Sequence, residues 1–169
     1  MAFITSQGVM NSPHNEAVRL EMLREAHLVS AIRLPNNAFK ANAGTEVVSD
    51  IIFLQKRDRP IEIEPDWIHL GKNDDGFAIN SYFIDHPEMI LGRQTSESTQ
   101  YGKQDFTVEP IEGLELADQL HDAVKYIRGT YTEAELPELG AGEAIDTSIP
   151  ADPNVKNYSL SLIHISEPT

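Results

Sequence analysis

Residues 2–5 (Ala-Phe-Ile-Thr) make a short apolar run that ends near Gly8, as a buried strand does when it exits into a loop. Ser12-Pro13 predicts a helix start: a serine oxygen can cap free amides, and a proline at the first helical position has no N–H to leave unpaired. Ala17, Val18, Leu20, Leu23 and Ala26 give that helix an apolar stripe, and Arg19, Glu21, Arg24 and Glu25 its wet side. Two more apolar segments follow, 28–34 up to Pro35 and 47–54 up to Gln55-Lys56-Arg57, separated by an Asn-, Ala- and Gly-rich loop at 36–44. The β-branched content and length of the second favour strand. Strand, helix, strand, loop, strand predicts the C-terminal part of an open α/β sheet. Three strands and one helix cannot cover both faces of such a sheet.

After Pro60 the pattern changes. Residues 61–64 alternate as a strand would, and 67–76 read as a loop. Asp85-His86-Pro87-Glu88 has the form of a capping box, with Asp85 as N-cap and Glu88 three residues on, leading one turn to Gly92. Residues 94–103 are polar and expected to be mobile. The clearest helix spans 112–128, with Leu116, Leu120, Ala123, Val124 and Ile127 on one face and Gly129 as its stop. From 132 to 159 the chain is rich in Pro, Gly and acids without periodicity, which predicts disorder.

Composition narrows the chemistry. Without cysteine, disulfides, thiolate zinc sites and cysteine nucleophiles are excluded. The longest apolar run, 51–54, is far below the roughly 20 residues a membrane-spanning helix needs. The start of the chain lacks a basic flank and a secretory apolar stretch, so a cytoplasmic protein with no membrane partner is expected. The net charge of −14 is unevenly spread: residues 1–57 carry six Lys/Arg against five Asp/Glu, and residues 58–169 seven against 22. Such asymmetry predicts two regions with different roles.

Few candidate residues stand out by themselves. The six histidines (14, 27, 69, 86, 121, 164) lack metal-ligand spacing, so no metal is expected. Asp50 lies inside an apolar segment, where an unpaired carboxylate is costly, and is expected on a solvent- or partner-facing side rather than in catalysis. Gly140-Ala141-Gly142 imitates a cofactor-binding glycine turn but lacks the preceding buried strand and reads as a linker.

Three motifs in order carry a resemblance: Ala-Phe-Ile-Thr-Ser-Gln-Gly-Val (2–9), Arg-Leu-Pro-Asn-Asn-Ala-Phe (33–39) and the stretch 45–56. Together they resemble the second half of an adenine-specific DNA methyltransferase (N-6 DNA methylase) domain. With Tyr-Phe-Ile-Asp-His-Pro-Glu-Met at 82–89, the chain is similar over about residues 1–130 to the large helicase–methylase proteins of bacterial mobile elements. The resemblance implies an α/β fold, the C-terminal portion of a Rossmann-like S-adenosylmethionine-dependent sheet at 1–57. An α+β accessory segment at 58–130 and a disordered acidic linker at 131–159 would follow. It implies methyl transfer to adenine N6 with the target base flipped out of the duplex. DNA, a fused helicase and the N-terminal half of the domain are the partners implied.

By the same resemblance, residues 2–5 are the fifth strand of that sheet, and 28–34 and 47–54 its last two, one of them antiparallel. The Asn/Asp-Pro-Pro-aromatic catalytic loop and the cofactor glycine turn are not found and are expected upstream of Met1, so this chain is not expected to methylate alone. Phe39 matches the family's base-stacking aromatic, with Asn36 and Asn37 as polar neighbours; otherwise Phe39 plugs the sheet edge. The alternative function is an acidic protein-interaction module working through residues 58–130. The last ten residues, Leu-Ser-Leu-Ile-His-Ile-Ser-Glu-Pro-Thr (160–169), resemble the translation of a transposon-end sequencing adapter, and would then never have been selected to fold. Their other reading is an alternating strand with Leu160, Leu162 and His164 on one face.

Overall fold

In the computed structural model, which describes residues 1–57, 59, 61, 63–98 and 104–130, the opening apolar run becomes β1 (Ala2–Ser6). One helical turn, α1 (Gly8–Asn11), follows and buries Met10 completely. Ser12 accepts a hydrogen bond from the His14 amide and Pro13 opens a 3-10 turn, the start the cap pattern predicts, leading into α2 (Glu16–Glu25). β2 (Ala26–Leu34) begins at once and carries a register shift between Leu28 and Ser30. The turn at 35–39 enters α3 (Lys40–Ala43), which ends at Gly44 with φ of 66°, a left-handed cap that a side chain would strain. β3 (Ser49–Lys56) completes the sheet.

β3 is the middle strand. The order is β1-β3-β2, with β3 antiparallel to both neighbours, so β1 and β2 run parallel to each other across it. Register puts Phe3, Ile52 and Ala31 in one cross-strand row and Ile4, Ile51 and Ile32 in the next, on opposite faces. On the first face Ile52 and Ala31 are fully buried. The second opens towards β1: Ile4 is 56% exposed, and Ile51 and Phe53 are only half-buried. Among the described residues β1 has no partner on its outer edge.

Beyond residue 57 several expectations need correction. Described residues 61, 63 and 64 form no strand. Strand structure arises instead within 67–76, where β4 (Leu70–Lys72) pairs antiparallel with β5 (Ala78–Asn80) around Gly76 at φ 83°. Three-residue strands are too short to print a period. α4 (Ser81–Asp85) is capped by Asn80, whose side-chain oxygen accepts from the Tyr82 amide, so Asp85 ends a helix rather than capping one. The single turn at Pro87–Met89 has His86 as its cap, whose side chain meets Glu88 at 3.3 Å instead of capping a backbone amide.

The polar stretch read as mobile is a strand over residues 94–98. β6 (Arg93–Ser98) pairs antiparallel with β7 (Gln104–Glu109), whose Thr107 and Val108 are buried. α5 (Leu116–Val124) is shorter than the predicted 112–128. Gly113 at φ 81° holds the residues before it in a turn, and the Lys125, Tyr126 and Ile127 amides bond only three residues back, which tightens the end. Ala123 is buried, but Val124, assigned to the apolar face, is 53% exposed.

Met1–Thr130 form one compact unit, and residues on both sides of position 57 share its core. Tyr131–Thr169 group as a second unit, outside the described residues, as are the predicted linker at 131–159, the glycine pair at 140–142 and the tail at 160–169. The fold is mixed α/β with small antiparallel sheets. Among the described residues no helix is long and apolar enough to cross a membrane.

Candidate functional site

β1 and β2 end at the same level, because Ser6 and Leu34 both lie opposite Ser49. In open, mostly parallel α/β sheets ligands bind beyond the carboxyl ends of the strands; in this sheet neighbouring strands are antiparallel, and β1 and β2 share a direction across β3. Here that end carries Gln7, whose amide donates to Val48 O at 3.1 Å, and the loop at 35–44 that leaves β2.

The three base-contact candidates share this loop and face different ways. Asn36 is half-buried and turned towards β7: its amide donates to Val108 O at 2.8 Å and its Nδ2 to Thr107 Oγ1 at 3.4 Å. Asn37 is exposed, and its carbonyl accepts the Lys40 amide at 3.0 Å. Phe39 is half-buried against the core, with φ −111° and ψ 7°, close to the bridge region that many active-site residues occupy. Phe39 is thus neither sealed in the core nor fully exposed. Lys40 beside it is ion-paired with Glu46, both more than half exposed.

Asp50 requires a correction. It is fully buried, and Arg33, directly opposite on β2, donates Nε to Oδ1 at 2.7 Å and Nη2 to Oδ2 at 2.8 Å. The guanidinium carbon sits 4.2 Å from the centre of the Phe83 ring and 5.8 Å from that of Phe106, so the charge is also met by two aromatic faces. Two strand-embedded residues of opposite charge were the available signal; only register could pair them.

Arg19, assigned to the wet side of α2, is also fully buried. It donates Nε to Ile68 O at 2.6 Å and Nη1 to Val9 O and Ser12 O at 3.0 and 2.9 Å. Burial holds its pKa below the ordinary arginine value, against the opposing pull of Glu16. Asn80 works on the same loop, donating Nδ2 to Met10 O and Trp67 O. Neither role left a mark in the sequence pattern, because carbonyls of distant loops create both.

Among the described residues, titratable groups do not converge into a nucleophile–base arrangement at the carboxyl end. His69 lies 2.7 Å from Glu64 and 3.7 Å from Glu16, all near half exposure. No group of three potential metal ligands occurs among the described residues. In the family that the sequence resembles, S-adenosylmethionine would be held by a glycine turn between a buried strand and a helix. Gly8 comes nearest to that place, between β1 and α1, but it lacks a positive φ and heads a single turn. The described residues therefore do not offer the turn that would hold this cofactor.

What these features define is a mixed α/β protein whose β1 edge is unpaired among the described residues, with a loop-built face at the carboxyl ends of β1 and β2. No protein-family model, no curated protein and no solved structure matches this chain.

Proposed function

We propose that the chain is the C-terminal part of an adenine-specific DNA methyltransferase domain, with the accessory segment packed onto it. In this reading S-adenosylmethionine and the catalytic loop belong to residues outside 1–169, and the loop at 35–44 faces the extruded adenine. The observation that carries the reading is the placement of β3 between β1 and β2, antiparallel to both. One antiparallel strand among the last three is what the resemblance of residues 1–56 implies. Further support comes from the half-buried Phe39 in the loop that leaves β2 and from the β1 edge, unpaired among the described residues, with the exposed Ile4 on that strand. Such an edge offers unpaired backbone groups to a neighbouring strand.

Joining the upstream reading frame to this chain tests the proposal. The longer protein should methylate adenine in duplex DNA, whereas residues 1–169 alone should show no saturable cofactor binding by calorimetry. Within the active protein, Phe39→Ala should lower kcat/KM about 5- to 150-fold, the equivalent of losing roughly 1–3 kcal/mol of base stacking. Phe39→Tyr should retain most activity, since it keeps the π-face. Lower melting temperature with normal activity per folded molecule would instead assign the ring to packing.

A second reading, a protein-binding module, draws on the exposed apolar residues Ile111, Leu114, Val124 and Tyr126 around α5. An authentic translation start at Met1 would favour it.

A further inference from the structure

The β6–β7 hairpin touches both loops at the carboxyl end of the sheet through consecutive residues of one strand. Gln7, just after β1, donates Nε2 to Phe106 O at 3.3 Å. Asn36, just after β2, bonds to Thr107 and Val108. Phe106 also lies against the guanidinium of Arg33, which is locked to Asp50. Strands sit about 4.8 Å apart, so β7 bridges loops separated by two such spacings.

The approach to the hairpin is equally constrained. Leu91 donates its amide to Arg33 O at 2.9 Å, which pins the chain entering β6 against β2. At Gly92 a Cβ would fall 2.5 Å from Glu109 O and 2.5 Å from Val108 Cγ1. Only a glycine lets the entering strand come this close to the β7 residues that hold Asn36.

We infer that β7 is a strap that positions the 35–44 loop, with Gly92, Thr107 and Val108 as its positioning residues and Asn36 as the anchor. The accessory segment thus fixes where Phe39 stands, rather than forming a separate module. The inference rests on the proposed role of that loop for its functional meaning, but not for its geometry.

Amide hydrogen exchange by NMR on the 169-residue chain tests it without DNA or cofactor. Gly92→Ala should push β7 away and speed exchange at Asn36, Ala38, Lys40, Asn42 and Ala43 about three- to tenfold beyond any change at Ile51 and Ile52. A rise at the loop equal to or smaller than the rise at Ile51 and Ile52 would overturn the strap. If Gly92→Ala does not fold, Gln7→Ala/Thr107→Val removes two side-chain ties and leaves the hairpin backbone intact. Selective acceleration at 36–43 supports the strap, and an unchanged loop refutes it. Asn37→Ala, which alters an exposed side chain, should leave the pattern as in the parent. Because the readout is local exchange, failure of the methyltransferase reading would leave this result standing, and the reverse also holds.

Discussion

Arg33 and Asp50 illustrate how a residue's neighbours decide its value. A buried ion pair gains little over a well-packed apolar pair, but removing one partner strands an uncompensated charge. Asp50→Ala is therefore expected to lose about 3–5 kcal/mol in chemical denaturation, whereas Arg33→Met/Asp50→Leu should recover most of that loss. If the double substitution were no better than the single one, the pair itself, and not the stranded charge, would be stabilising the sheet. Phe83 adds to the asymmetry, since its ring face at 4.2 Å suits a cation and would have none to meet after Arg33 is replaced. The charges of both residues were legible within their apolar segments. Their pairing was not, because it depends on the register of two strands 17 positions apart.

At the scale of elements, α2 keeps its predicted faces at Leu20, Leu23, Glu21, Arg24 and Glu25 and departs from them in its first turn. Ala17 and Val18 face solvent while Arg19 is buried, because three carbonyls from the α1 turn, Ser12 and the 66–68 turn converge on the guanidinium. Val18→Lys should accordingly stay within about 0.5 kcal/mol of the parent, as exposed substitutions do. Arg19→Leu should destabilise by roughly 1–3 kcal/mol for each carbonyl left without a donor or water. Thermal melts of the two variants check the order; the reverse order would restore the helix face drawn from hydrophobicity. β1 to β3 were legible because each is a run of apolar residues ended by a turn signal. β4 to β7 were not, since they are short or polar and owe their state to the strand beside them.

For the whole molecule, the charge division at residue 57 does not divide the packing: Met1–Thr130 share one core, to which Ile32 and Ile52 contribute from the sheet and Ile68, Phe83 and Val108 from beyond it. Solvated charge records which surfaces are wet, and packed side chains record which segments fold together, so the two divisions need not coincide. Removal of residues 160–169, the adapter-like tail, is expected to leave the melting temperature unchanged within error. A fall of several degrees on scanning calorimetry would mark those residues as native structure.

The sequence by itself determined the α/β class, the positions of the three sheet strands, the helix start at Ser12-Pro13 and the loop that carries Asn36, Asn37 and Phe39. These are local matters of hydrophobic period, proline geometry and amide capping, resolved within a few residues. Only the tertiary structure decided that β3 lies between β1 and β2, that Asp50 is buried against Arg33, and that Asn36 is held by β7. Each of those joins residues far apart in the chain. Backbone hydrogen bonds and buried charges constrain such pairs only after the core has brought them within about 3 Å of one another.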